Sequence, residues 1–270
     1  MKLSQEQLTS YLENGFLRVP SVFTPEEMSV LSADCYAIVS SERAHSDGNV
    51  SELNSEATRV SFGIDLDSDA VSAVVRVPRI LDPVHQVLGD RVYLFQTRIN
   101  AKMGRLGEGY PWHTDFANWI NDGVQHGSIN DMITISVLLT ESTPENGALQ
   151  VVPGSHRHGV GDLYFDTESV GYQSYNAPES YVHKVLSDTD PVYIEGQPGD
   201  IVLFAPEIMH GSEENHSDVD RMYLMLIYNR SDNLPVASEV KREHLTPYVN
   251  YTYQGDLIKV ADDAILSSIK

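Results

Sequence analysis

From Arg91 onward the chain is written in short β-rich runs, and this punctuation limits the fold more than any other feature. Arg91-Val92-Tyr93-Leu94-Phe95, Thr134 through Leu139, Leu149 through Val152, Pro191 through Ile194, Ile201 through Phe204 and Met222 through Tyr228 are apolar and bounded by turn residues. Strands this short cannot cover their apolar faces alone. They must pair into sheets and close on one another as a sandwich or barrel. The preceding residues read as mostly helical. Ser4 opens an amphipathic stretch that stops at Asn14-Gly15, and Phe16 through Val19 forms a brief strand. Thr24-Pro25-Glu26-Glu27 combines a capping Thr, a Pro at the first helical position and a capping-box Glu. Pro78 to Leu88 is a further helix, ended by Gly89, while residues 40–60 are polar and read as a loop. A loop-rich insertion falls around residues 157–185. With no linker or repeat, one domain over residues 1–270 is expected: helical to about residue 90, a β core over about 91–235, and a C-terminal extension.

Composition removes several function classes. The 270 residues carry 18 Lys+Arg against 39 Asp+Glu, a net charge of −21. Such a charge repels phosphate backbones and anionic lipid, so neither nucleic acid nor a membrane is an expected partner. The lone Cys35 excludes an internal disulfide and a cysteine-based zinc site. The first residues lack the apolar run of a signal peptide, and no stretch reaches the ~20 apolar residues of a membrane span. A soluble protein of a reducing cytoplasm, monomer or homodimer, is the expectation.

The chemistry begins at Trp112-His113-Thr114-Asp115. In a strand, residues two apart project together, so His113 and Asp115 would offer two-thirds of a facial triad for iron(II). Such a triplet often arises by chance, and a surface His beside a solvated Asp is its commoner meaning. A second His far along the chain would complete the set. His210 follows the strand opened by Gly199-Asp200, although a histidine bonded to backbone is the plain alternative. Arg221, eleven residues on, enters an apolar strand and needs a carboxylate partner, whether a ligand or one of the protein's own acids.

Taken together, His-x-Asp, the distant His and the following Arg form the pattern of iron(II)/2-oxoglutarate oxygenases. From roughly Leu8 to Asn250 the chain resembles the phytanoyl-CoA dioxygenase superfamily, with Pro153-Gly154-Ser155-His156 as a further mark. Phe95 through Lys102, Trp112 through Trp119, Ser136 through Gly147 and Tyr228 through Asn233 look like bacterial ectoine hydroxylases and free L-proline and leucine hydroxylases. The resemblance implies a mainly β fold with flanking helices around a double-stranded β-helix, a cupin-like jelly-roll. It implies Fe(II), 2-oxoglutarate and O₂ as metal, cosubstrate and oxidant. His113, Asp115 and His210 would bind iron. Arg221 would pair with the distal carboxylate of 2-oxoglutarate, helped by Ser212, and Gln96 and Asn100 would line its pocket. Arg98 and Trp119 would face a small, amino-acid-like substrate. Gln96, Arg98 and Asn100 alternate with period two, so they share one strand face.

Each role has a structural alternative: Gln96 and Asn100 as strand hydrogen-bonders, Trp119 as core. His156 is read as part of a turn, and His45, His126, His158, His183 and His216 as solvent-facing. Lys102 divides between the surface and the pocket rim. Ectoine hydroxylases follow the iron-site Asp with Phe-Glu-Thr-Trp-His, where this chain has Phe116-Ala117-Asn118-Trp119-Ile120. They also carry an aromatic where it has Met225. Both departures fall on the substrate side. The implied reaction is hydroxylation of an unactivated C–H bond in a free amino acid or similar zwitterion. Asp115 occupies the position a halide would need, which disfavours halogenation. The same chemistry on an acyl-CoA or natural-product scaffold, or a non-enzymatic metal-binding barrel, are the competing readings.

Overall fold

The computed structural model describes residues 1–40, 48–161, 163–166, 170, 174–236, 257–264 and 266. Helix α1 (Gln5–Asn14) starts at a Ser4–Gln7 capping box and ends at Gly15, whose φ of 80° is open to glycine at little cost. Strand β1 (Phe16–Val19) leads into α2 (Pro25–Val39), where Thr24 and Glu27 form the expected reciprocal cap. The polar segment read as loop is not all loop. It contains β2 (Asn49–Ser51) and β3 (Thr58–Phe62), paired with each other. Helices α3 (Asp69–Val74) and α4 (Pro78–Leu88) follow.

The long strand β4 (Val92–Lys102) begins the core and is followed by β5 (Tyr110–His113) and the short helix α5 (Asp115–Ile120). Then come β6 (Met132–Leu138) and β7 (Gln150–Val151). The insertion is partly ordered as β8 (Tyr164–Asp166), β9 (Ser174–Asn176) and α6 (Glu179–Leu186). Strands β10 (Val192–Tyr193), β11 (Ile201–Phe204), β12 (His210–Ser212) and β13 (Arg221–Arg230) complete the fold.

Seven strands form one sheet in the order β1-β11-β6-β13-β4-β3-β2, and four form a second in the order β10-β7-β12-β5. This two-sheet arrangement is the cupin-like jelly-roll expected from the resemblance. The large sheet is buried on both faces. On one face Ile99, Ile135, Leu224 and Leu226 pack against Leu31, Ile80, Leu81 and Val84 of the helices. On the other, Phe95, Phe204, Tyr223, Met225 and Ile227 meet Trp119, Val151 and Ile208. Each such aliphatic or aromatic side chain contributes roughly 1.5–3 kcal/mol on burial, so the core carries most of the stability.

One irregularity places the site. In the β4–β13 ladder, Ile227 pairs with Gln96 and Tyr228 with Leu94, which leaves Phe95 as an extra residue, a β-bulge. Alternation therefore breaks at that point. Tyr93 and Phe95 face the space between the sheets, and Gln96, Arg98 and Asn100 line a pocket in that same space. The acid of the Gly199-Asp200 turn is buried. Its carboxylate accepts from Arg18 at 2.6 Å, Ser21 N–H at 2.8 Å and Gln197 N–H at 3.1 Å, which ties β11 to the N-terminal elements.

Candidate active site

All nine residues singled out from the sequence line one pocket of about 780 Å³, measured out to its open mouth. His113 closes β5 and His210 opens β12. The two are direct cross-strand partners, with ring centroids 4.2 Å apart. The sequence reading put Asp115 on the same strand as His113. That placement is corrected here: β5 ends at His113, Thr114 has extended backbone, and Asp115 is the first residue of α5. The chain turns at Thr114 yet still delivers the carboxylate, and one ligand atom from each of His113, Asp115 and His210 lies within 4.8 Å of the others.

The imidazoles are oriented alike. His113 Nδ1 lies 2.8 Å from Pro111 O, and His210 Nδ1 lies 3.0 Å from Ile208 O. Carbonyls only accept, so Nδ1 carries the proton and Nε2 keeps its lone pair. Burial, reinforced by the neighbouring His210, holds His113 down at about 3. Burial likewise lowers His210. Burial opposes the charge on Asp115, but the Arg98 guanidinium overcomes it and holds the carboxyl down at about 2. Two neutral imidazoles and an ionised carboxylate are the protonation states a divalent cation requires. The donor set, two nitrogens and one oxygen, fits iron(II).

Arg98 donates from Nη2 to both Asp115 oxygens, at 2.9 and 3.0 Å, while its Nε meets Met225 Sδ at 3.3 Å. Trp119 is 1% exposed and packs edge-on to Phe95 at 5.6 Å, so it is both core and pocket wall. At the other end, Arg221 is 2% exposed and lies over the Tyr223 ring at 4.2 Å. Its Nη1 reaches Asn100 O only at 3.5 Å, and its Nε has no hydrogen-bond partner. Among the described residues no carboxylate lies within ion-pair distance of it. The internal salt bridge kept open as an alternative is therefore not made there. A buried guanidinium with an orphan N–H, beside Ser212 and Asn100 in the pocket, fits a carboxylate-bearing ligand.

Several pocket residues escaped the sequence reading. Tyr223 alternates with Arg221 on β13, so period two could have found it, whereas Met225, two residues further, lines the pocket as its reading on the substrate side expected. Tyr223 Oη is fixed by Ser142 Oγ at 2.5 Å and by Leu149 N–H at 3.3 Å. Tyr110 carries no motif and is backed by a buried ion pair. Arg59 stacks on its ring at 3.9 Å, meets Glu52 at 2.5 Å and donates to Gly109 O at 2.5 Å. Asn118 and Asn176 also line the pocket. Asn118 Oδ1 accepts Tyr175 N–H at 3.0 Å, which docks β9 onto α5.

Other residues separate from the site. Lys102 is fully buried, and its Nζ donates to the carbonyls of Glu108 and Glu213. It belongs to neither the surface nor the pocket wall. His126, His158, His183 and His216 are exposed as expected, and His45 lies outside the described residues. Asn229 and Asn233, from the Tyr228–Asn233 string that carries part of the resemblance, bond each other, Tyr93 Oη and the His126 backbone, and are structural.

Two imidazoles from the small sheet of a jelly-roll and a carboxylate from the start of α5 converge as a mononuclear 2-His-1-carboxylate metal centre. The chain belongs to the phytanoyl-CoA dioxygenase family, whose family model matches residues 11–223. It is 34% identical over 244 residues to an ectoine dioxygenase of Bordetella bronchiseptica, covering 86% of this chain and 77% of that protein. It is 29% identical to an L-proline trans-4-hydroxylase of Streptomyces griseoviridis, covering 83% and 86%. The crystal structure of EctD from S. alaskensis with 2-oxoglutarate and 5-hydroxyectoine superposes with a TM-score of 0.85 at 27% identity, covering 96% of this chain and 88% of that one.

Proposed function

We propose that this protein is an Fe(II)/2-oxoglutarate-dependent hydroxylase that acts on an unactivated C–H bond of a free amino acid or similar small zwitterion. One observation carries the reading: a 2-His-1-carboxylate cluster shares a pocket with a buried arginine that meets no carboxylate among the described residues at one end, and with Arg98 and Trp119 at the other. When bound, iron(II), 2-oxoglutarate and O₂ supply the oxidation that replaces hydrogen by hydroxyl, with release of succinate and CO₂.

The chain's own residues bind, orient and exclude water. His113, Asp115 and His210 would hold the metal, with each imidazole aimed by a backbone carbonyl and the carboxylate by Arg98. Arg221 and Ser212 would take the distal carboxylate of the cosubstrate, and Gln96 and Asn100 its flank. Trp119 walls the substrate end, where its π-face can receive a cationic carbon. Arg98, which also grips Asp115, would meet a substrate carboxylate. Asn118 and Met225 stand on this same wall, where the sequence departs from ectoine hydroxylases, so the substrate is sought among small zwitterions at large. The surrounding apolar core excludes water from the reacting carbon.

We further propose that residues 1–270 act as one domain, as a monomer or homodimer in the cytoplasm, with no nucleic-acid or membrane partner. The charge of −21 supports this, and among the described residues no helix is long and apolar enough to cross a membrane. The test is aerobic incubation with iron(II), 2-oxoglutarate and a panel of free amino acids plus ectoine, scored for succinate and for a mass gain of one oxygen. Succinate formation coupled to one member of the panel is expected. No succinate with any member would overturn the reading.

A further inference from the structure

The turn Pro153-Gly154-Ser155-His156 has no part in the roles above, yet it lies directly behind one metal-binding histidine. On one side it caps α1. Gly154 N–H donates to Asn14 O at 2.7 Å, Arg157 Nη1 donates to Glu13 O at 2.6 Å, and His156 Nε2 lies 3.3 Å from Leu12 O. These carbonyls belong to the last helical turn, which has no partners of its own. On the other side the turn grips Met209. Val152 N–H donates to Met209 O at 3.0 Å, and Ser155 Oγ accepts Met209 N–H at 2.8 Å.

The second contact reaches the metal site through a single peptide plane. Met209 N–H and Ile208 C=O are the two ends of one planar unit. The carbonyl end accepts the Nδ1 proton of His210 at 3.0 Å. Ser155 Oγ, the 208–209 peptide and the His210 ring therefore form one hydrogen-bonded chain, which ends at Nε2. Held at both edges, the plane cannot rotate about its flanking dihedrals. The carbonyl that aims the imidazole is fixed, and each bond in the chain polarises the next. Ser155 is 3% exposed and Met209 1%, so water has little access to replace either contact.

We propose that Ser155 is a positioning residue for the metal centre, acting on His210 through the Ile208–Met209 peptide. The proposal rests on the reading of His210 as a metal ligand. Its test is Co(II) titration of the full-length Ser155→Ala and Ser155→Cys proteins, followed by visible absorption, with thermal unfolding of the same metal-free samples. Both variants should bind Co(II) about 10-fold more weakly, the loss typical of an outer hydrogen-bond partner. Their cobalt bands should change shape, and the downfield Nδ1–H proton signal of His210 in the zinc-loaded protein should shift or broaden. Arg157→Ala removes a contact on the α1 side of the same turn and should lower the unfolding temperature without moving the cobalt affinity. Affinity within about twofold of wild type in both Ser155 variants, with unchanged bands, would overturn the proposal. An equal affinity loss in Arg157→Ala would overturn it too, because the turn would then act through stability alone. If wild type bound no Co(II), the metal reading itself would fall, and this proposal with it.

Discussion

Replacing Arg221 by Met should move stability and cosubstrate affinity in opposite directions. Arg221 is 2% exposed, its Nε has no hydrogen-bond partner among the described residues, and burial pushes the guanidinium below the usual arginine range. Desolvating such an ion costs several kcal/mol, and the Tyr223 ring below it returns about 2 kcal/mol. A methionine fills similar volume at no such cost. The protein without cosubstrate should therefore gain about 1–3 kcal/mol, or roughly 2–4 °C in unfolding temperature for each kcal/mol at this chain length. Binding should suffer. Removing one partner of a buried, hydrogen-bonded charge pair costs about 2–5 kcal/mol, a loss of roughly 30- to 4,000-fold in affinity. Differential scanning calorimetry on the metal-free protein reads the first effect, and calorimetric titration of 2-oxoglutarate into the Co(II)-loaded protein reads the second. A variant that unfolds several degrees below wild type would refute the reasoning, because Arg221 would then hold a structural partner. So would a loss of 2-oxoglutarate affinity under about tenfold.

His113→Ala should abolish the visible cobalt spectrum while Arg221→Met keeps it, since only the first removes a donor atom. Gly15→Ala should lower the unfolding temperature. Its φ of 80° costs a Cβ roughly 1–2 kcal/mol, and that Cβ would fall 2.4 Å from His156 Nδ1. Burial, helped by Asp131, raises Glu207 from 4.5 to about 7. Between those values the folded state holds a proton that the unfolded state has released, so this residue's contribution to stability falls as pH rises. Glu207→Gln should therefore gain in unfolding temperature over wild type between pH 5 and pH 8, and a constant difference would refute the assignment.

Local signals made much of this architecture readable. The end of α1 at Asn14-Gly15, the Thr24–Glu27 cap and the strands after Gly89 each depend on neighbours along the chain, and each is where the sequence puts it. The three residues of the candidate metal centre were readable for a different reason: their spacing is a motif. What stayed hidden depends on distant partners. Strands β2 and β3 hide in a polar segment because Glu52 and Arg59 are buried against each other, and composition cannot report a buried ion pair. Asp115 was assigned to a strand because i, i+2 geometry says nothing of where a strand stops. The Ser155 turn looked like punctuation because its partners, Leu12 to Asn14 and Met209, lie far away in sequence.

The bulge at Phe95 has a consequence for how this enzyme can change. In a regular strand, an apolar run at positions 93 and 95 and a polar run at 96, 98 and 100 would fall on opposite faces, one of them against the helices. The extra residue shifts the phase by one, so both runs serve the same interior, dry at one end and polar at the other. Pocket chemistry can thus drift along Gln96, Arg98 and Asn100 while Tyr93 and Phe95 go on packing undisturbed. A one-residue insertion or deletion elsewhere in β4 would be the more radical step, because it reassigns every side chain beyond it to the other face.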